Sequence, residues 1–137
     1  MMVLHLDWRG IVNGDDERWF YTRALYAYIA PDSTEILYIG KCDGCTVRER
    51  WRNKPMFWRD LERERGITHH GVIVAEIDPQ TKFRLTRELI CDIESLLISA
   101  VAPWGNVQCQ LTRTARPGMK VLCDGAWPLR QKVFEDT

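Results

Sequence analysis

Two short runs, Leu25-Tyr-Ala-Tyr-Ile-Ala30 and Ile36-Leu-Tyr-Ile-Gly40, are dense in aromatic and β-branched residues, and Pro31-Asp-Ser separates them. Runs of this kind parted by turn formers pair as a hairpin, so the fold must be built on antiparallel strands. After Gly40 the pattern changes. Thr46 suits the N-cap of a helix over 47–53, and Pro55 suits the first position of a second helix that stops at Gly66. The mostly continuous apolar run from Gly71 to Asp78, closed by Pro79, predicts a strand in a central position. Thr86 to Ala102 then places Leu89, Ile90, Ile93, Leu96, Leu97, Ala100 and Val101 at helical spacing before Pro103. Met119 to Cys123 reads as one more strand ahead of the Asp124-Gly125 turn. Residues 1–23 alternate only loosely and carry Asn13-Gly14, which suggests an irregular or hairpin-like N-terminal extension.

The expected architecture is a mixed α+β domain with a small central antiparallel sheet of about three strands flanked by helices. Its 137 residues are 45% hydrophobic and 28% charged, a balance that supports a packed core and excludes low-complexity and fibrous chains. No stretch reaches the roughly 18 apolar residues of a membrane span, because Cys91-Asp92 and Glu94 interrupt the best one, so no membrane partner is expected. His5, Asp7 and Arg9 stand where a secretory signal is apolar, so the expected location is cytoplasmic and reducing.

Cations and acids balance at 19 each, so overall charge names no partner. Locally, Lys41, Arg48, Arg50, Arg52 and Lys54 oppose only Asp43 and Glu49. Arg113, Arg116, Lys120, Arg130 and Lys132 oppose only Asp124. Such patches contact phosphate or form ordinary solvated faces. With Trp127, the second patch is a candidate for tracking DNA by phosphate neutralisation and aromatic contact; a hairpin covering the sheet is the competing reading. The odd count of five cysteines argues against a disulfide framework. Cys42 and Cys45 have the spacing of a zinc knuckle or redox pair without a second pair, so a zinc site would have to recruit from His69, His70, Cys109 or Cys123, and a simple turn at Asp43-Gly44 is the favoured reading.

Glu94 stands out because the stripe Ile90, Glu94, Leu97/Ile98, Val101 is otherwise apolar. A carboxylate there either takes a cation or metal as partner or reaches solvent at the stripe's edge. Tyr26 and Tyr38 sit in the paired runs and can share one face, either packed or functional.

The order of these features resembles the GIY-YIG nuclease superfamily. Tyr38-Ile39-Gly40 is its second signature literally, and Ala24-Leu25-Tyr26 stands for the first. Arg50 precedes an aromatic residue, Trp51, and Glu94 is followed by Leu97-Ile98, Pro103 and Asn106 at the family's spacings. The resemblance spans Ala24 to Asn106 and implies one catalytic core over 24–106, with extensions over 1–23 and 107–137. It implies a metal-dependent endonuclease acting on DNA, with Glu94 as sole protein ligand of Mg²⁺ (or Mn²⁺). Tyr26 would be the base that activates water through a lowered pKa, supported by Tyr38, while Arg50 would hold the scissile phosphate. Lys41 would help depress a tyrosine pKa, and Asn106 would fix the chain after the long helix. Arg48, two residues before Arg50, offers the same chemistry, with Arg50 favoured; Arg52 is a nucleic-acid-binding candidate. Many relatives carry His or Tyr four residues after the arginine, where this chain departs with Lys54. His69 or His70 could substitute from the next strand or the role could be vacant, and an ordinary exposed or satisfied histidine pair is the favoured reading of the two. RNA as substrate, a homodimer for cutting both strands, and an idle binding module of the same fold are the alternatives left open.

Overall fold

The computed structural model describes residues 2–32, 34–77, 84–109 and 117–136. Its strands are β1 (Met2–Gly10), β2 (Arg23–Ile29), β3 (Ile36–Asp43), β4 (Gly71–Ile77), β5 (Met119–Gly125) and β6 (Val133–Glu135). Its helices are α1 (Val47–Arg52), α2 (Pro55–Arg65) and α3 (Arg87–Val101), with short 3-10 turns at Glu17–Phe20 and Trp104–Cys109. All six strands join one sheet in the order β3-β2-β4-β1-β5-β6.

This corrects the expectation of about three strands with peripheral extensions. The N-terminal segment lies inside the sheet, antiparallel to β4 and parallel to β5, and the C-terminal segment adds the β5–β6 hairpin. The physical reason is visible in β1, where Leu4, Leu6 and Trp8 are fully buried while His5, Asp7 and Arg9 are exposed. That is period-2 alternation, and the polar residues are simply the wet face of a strand covered on one side.

The helical segments follow local sequence chemistry. Thr46 and Glu49 form a reciprocal capping box at α1, Pro55 opens α2, and Gly66 ends it in the left-handed region at φ 64°. Thr86 caps α3 through its side chain on the Leu89 N–H. The hairpin and β4 fall where the apolar runs predict them; Ser33, Asp78 and Pro79 lie outside the described residues.

Helices cover both faces of the sheet. On one, Leu25, Ala27, Ile39, Ile73 and Ala75 pack with Ile90, Ile93 and Leu97 of α3, together with the buried side of β1 and β5. On the other, Tyr26, Tyr28, Val72 and Val74 pack under Trp51, Phe57 and Trp58 of α1 and α2. Strand β3 is an edge of the sheet, and both helical layers meet there. No helix among the described residues is long and apolar enough to cross a membrane.

Candidate active site at the edge of β3

An edge strand presents unpaired backbone groups, and β3 has two side chains answering them. Asn106, itself buried, accepts from the Ile39 N–H through Oδ1 at 2.8 Å and donates from Nδ2 to the Ile39 carbonyl at 2.9 Å. Two residues on, Glu94 accepts a hydrogen bond from the Lys41 N–H. The spacing from Tyr38-Ile39-Gly40 to Glu94 and Asn106 therefore has a mechanical basis: both polar residues dock one outward edge. Replacing Asn106 by alanine leaves a buried donor and acceptor unpaired at once. The expected loss is about 2–4 kcal/mol of stability, read from denaturant unfolding.

Pairing register places the tyrosines. Tyr26 on β2 lies opposite Gly40, and Tyr28 opposite Tyr38, so all four positions share one face. The rings form a cluster, with Tyr26 and Tyr38 stacked at 6.1 Å and Tyr28 and Tyr38 at 5.4 Å. Gly40 is required because a Cβ there would stand 2.5 Å from Cζ and Oη of Tyr26. The Tyr26 ring crosses the strand through the space that the missing side chain leaves.

Cations arrive from the helices above. Lys54, in the residue preceding the Pro55 start of α2, places Nζ 3.2 Å from Tyr26 Oη and 3.2 Å from the Arg50 carbonyl oxygen. It also lies over the Tyr38 ring at 5.0 Å. The Arg50 guanidinium hydrogen-bonds the Cys45 sulfur and acts electrostatically on Tyr26, Tyr38 and Glu94. Arg50, not Arg48, is thus the arginine turned to the tyrosines; Arg48 lies over the Phe20 ring, 5.9 Å from its centre.

Burial dominates the titration of the group. It pushes Tyr26 far above the ordinary tyrosine range, reinforced by Tyr28 and Tyr38, and the opposing charge of Arg50 does not overcome it. The lowering of the Tyr26 pKa that the resemblance implies is absent in the free protein, where this phenol is neutral. Glu94 is also raised, chiefly by burial, against Lys41, Arg50, the Lys41 N–H and Lys54. Lys41 acts on Glu94 rather than on Tyr26, whose opposing cation is Arg50. Lys54 is lowered by burial and by the neighbouring charge of Arg50, which brings its neutral amine within closer reach.

Glu94 is the carboxylate of this cluster, and among the described residues no group of three or more His, Cys, Asp or Glu converges. A single half-buried carboxylate fits a hard divalent ion that keeps most of its water and takes remaining oxygens from a phosphate. The surrounding cations oppose such an ion alone and favour its entry with a phosphate.

Other candidates lie elsewhere. His70 stacks on Trp58 and accepts from the Trp51 indole at Nε2, 2.9 Å, so it is part of the aromatic layer; His69 is exposed. Cys42 is buried, donates to the Tyr21 carbonyl, and has its thiol pushed up to about 11 by burial, which suits a structural thiol rather than a zinc ligand. Gly44 carries the turn at φ 90°. Arg113 and Arg116 lie outside the described residues. Lys120 pairs with Glu135 across β5 and β6 at 3.3 Å, while Arg130 and Lys132 are exposed. Trp127 is buried against Trp8 and Phe134, so it is a core ring and not a stacking platform.

Two contributors carried no sequence signal. The Lys41 backbone N–H has no residue signature, and Cys45 reaches Arg50 only because the Gly44 turn brings it round. Comparisons with family models, with curated proteins and with solved structures give no match for this chain.

Proposed function

We propose that the protein is an endonuclease that hydrolyses DNA phosphodiester bonds with a divalent ion, as the resemblance to GIY-YIG nucleases implies. The observation that carries this reading is the convergence of Tyr26 on β2 with Tyr38, Arg50, Lys54 and Glu94 beside the β3 edge. Tyr26 and Tyr38 pack in the aromatic cluster, but packing gives no reason for Arg50, Lys54 and Glu94 to gather beside them. Glu94 would hold Mg²⁺ or Mn²⁺, which when bound supplies charge neutralisation of the phosphate and an oriented water.

The chain's own groups account for the remaining steps. Arg50 holds the scissile phosphate and offsets the charge that grows on its oxygens. Because Tyr26 is neutral, it can accept a proton from water only as its own proton leaves. Lys54 Nζ, at hydrogen-bond distance and with a depressed pKa, is the acceptor: water gives a proton to Tyr26 Oη, and the Tyr26 proton passes to the neutral amine. The resulting hydroxide attacks phosphorus and the ester oxygen leaves. Tyr38 stacks on Tyr26 and fixes its ring.

Supercoiled plasmid tests the proposal, with nicking or linearisation expected in Mg²⁺ or Mn²⁺ and none in EDTA. Activity should rise with pH as Lys54 loses its proton, through a range below that of an ordinary lysine. Lys54→Arg stays charged, so it should lose about a hundredfold in rate and flatten that limb. A folded wild type that binds DNA without cutting it would assign the fold to the idle binding module instead. Cutting of RNA with no cutting of DNA would reassign the substrate.

A further inference from the structure

Helix α1 carries arginines on two faces. Arg48 and Arg52 are four residues apart and share one, whereas Arg50 points to the opposite side, toward Tyr26. On the Arg52 side lies a groove of about 400 Å³, walled by Trp51, Arg52, Trp58, Glu62, Thr68 and His70. That volume falls among small-ligand pockets, which run from about 300 to 1,000 Å³. Trp58 and His70 stack at 4.2 Å with 20° between planes, and the Trp51 indole N–H fixes His70 through its Nε2. All three rings remain half-exposed.

Rigid aromatic walls beside the Arg52 guanidinium complement one ligand chemistry, flat apolar rings strung on a polyanion. Arg52, which lines the groove, is two residues from Arg50 on the same short helix, so a strand whose phosphate meets Arg50 lies close to the groove. We propose that this groove takes an unpaired nucleobase of the DNA strand held at Arg50. Trp51 and Trp58 furnish its walls, Arg52 meets the adjoining phosphate, and Glu62 and Thr68 offer an acceptor and a hydroxyl to the base edge. The inference rests on the nuclease reading and sharpens it, because a fully paired duplex presents no such base. Bulged, branched or single-stranded DNA then becomes the preferred substrate.

Binding measured in EDTA with the Glu94→Gln chain separates this inference from catalysis. The probes are a labelled duplex with one bulged 2-aminopurine, the same duplex fully paired, and single-stranded DNA and RNA of the same sequence. The bulged duplex and the single-stranded DNA should bind about tenfold more tightly than the paired duplex and quench tryptophan fluorescence. Arg52→Ala, at an exposed position, and Trp51→Phe should each remove most of that preference. Equal affinity for paired and unpaired DNA, or a preference untouched by both substitutions, would overturn the inference. RNA bound more tightly than DNA would overturn the assignment to DNA. Wild-type cleavage in Mg²⁺ without any preference would sink this inference alone, while preference without cleavage would sustain it and sink the nuclease reading.

Discussion

Glu94→Gln should abolish metal-dependent cleavage and leave the fold at least as stable as before. The amide keeps an oxygen for the Lys41 N–H but forfeits the charge, so the bond at the β3 edge survives while the proposed ion would lose its protein ligand. A metal supplies several kcal/mol of charge stabilisation in the transition state, so the expected loss of rate is about a thousandfold or more. Stability should move the other way. A carboxyl whose pKa is raised on folding binds more protons folded than unfolded, and its contribution is lost as pH rises from the ordinary Glu range through the raised value. Above its raised pKa the wild type carries an ionised carboxylate at a net cost that the glutamine variant escapes. Plasmid cleavage and thermal melts at pH 4 to 8 read both effects. A variant that cuts at the wild-type rate, or one that melts far below the wild type at neutral pH, contradicts the role given to Glu94. Lower activity with higher stability is the usual signature of a site held against its own folding preference.

How much of this was legible in the chain depended on the range of the interaction. The helix ends were readable because Thr46, Pro55, Gly66 and Thr86 act on backbone groups within a turn of themselves. The β2–β3 hairpin and β4 were readable from composition and turn chemistry. β1 was not, although Leu4, Leu6 and Trp8 alternate with His5, Asp7 and Arg9. Its partners are β4 and β5, about 70 and 117 residues away, and alternation alone does not say that such partners exist. β6, only three residues long, has no signal apart from its pairing. The candidate site divides the same way. Glu94 and the tyrosines announce themselves as polar groups in apolar company. The sign of the Tyr26 shift depends on how completely the other rings and the helices bury it, which only the packed structure determines. Trp127 shows the converse error, since an aromatic residue among cations reads as a stacking platform until its burial against Trp8 is seen.

Gly40→Ala is expected to be the most damaging conservative change in the strand edge, and for a steric reason rather than a conformational one. A methyl group at this position would stand 2.5 Å from two atoms of the Tyr26 ring, so the ring must swing off the strand or the strands must part. Overpacking of this kind costs about 1–3 kcal/mol, to be read from denaturant unfolding. The effect on cleavage should be larger, because Tyr26 Oη would leave the 3.2 Å contact with Lys54. A displacement of about 1 Å in such a constellation can cost about a hundredfold in rate. A second substitution makes the cause testable. In a Tyr26→Leu background the obstructing atoms are gone, so adding Gly40→Ala should cost less than half of what it costs the wild type, a coupling of about 0.5–2 kcal/mol. Additive costs would mean that Gly40 is required for its backbone and not for the tyrosine that lies across it.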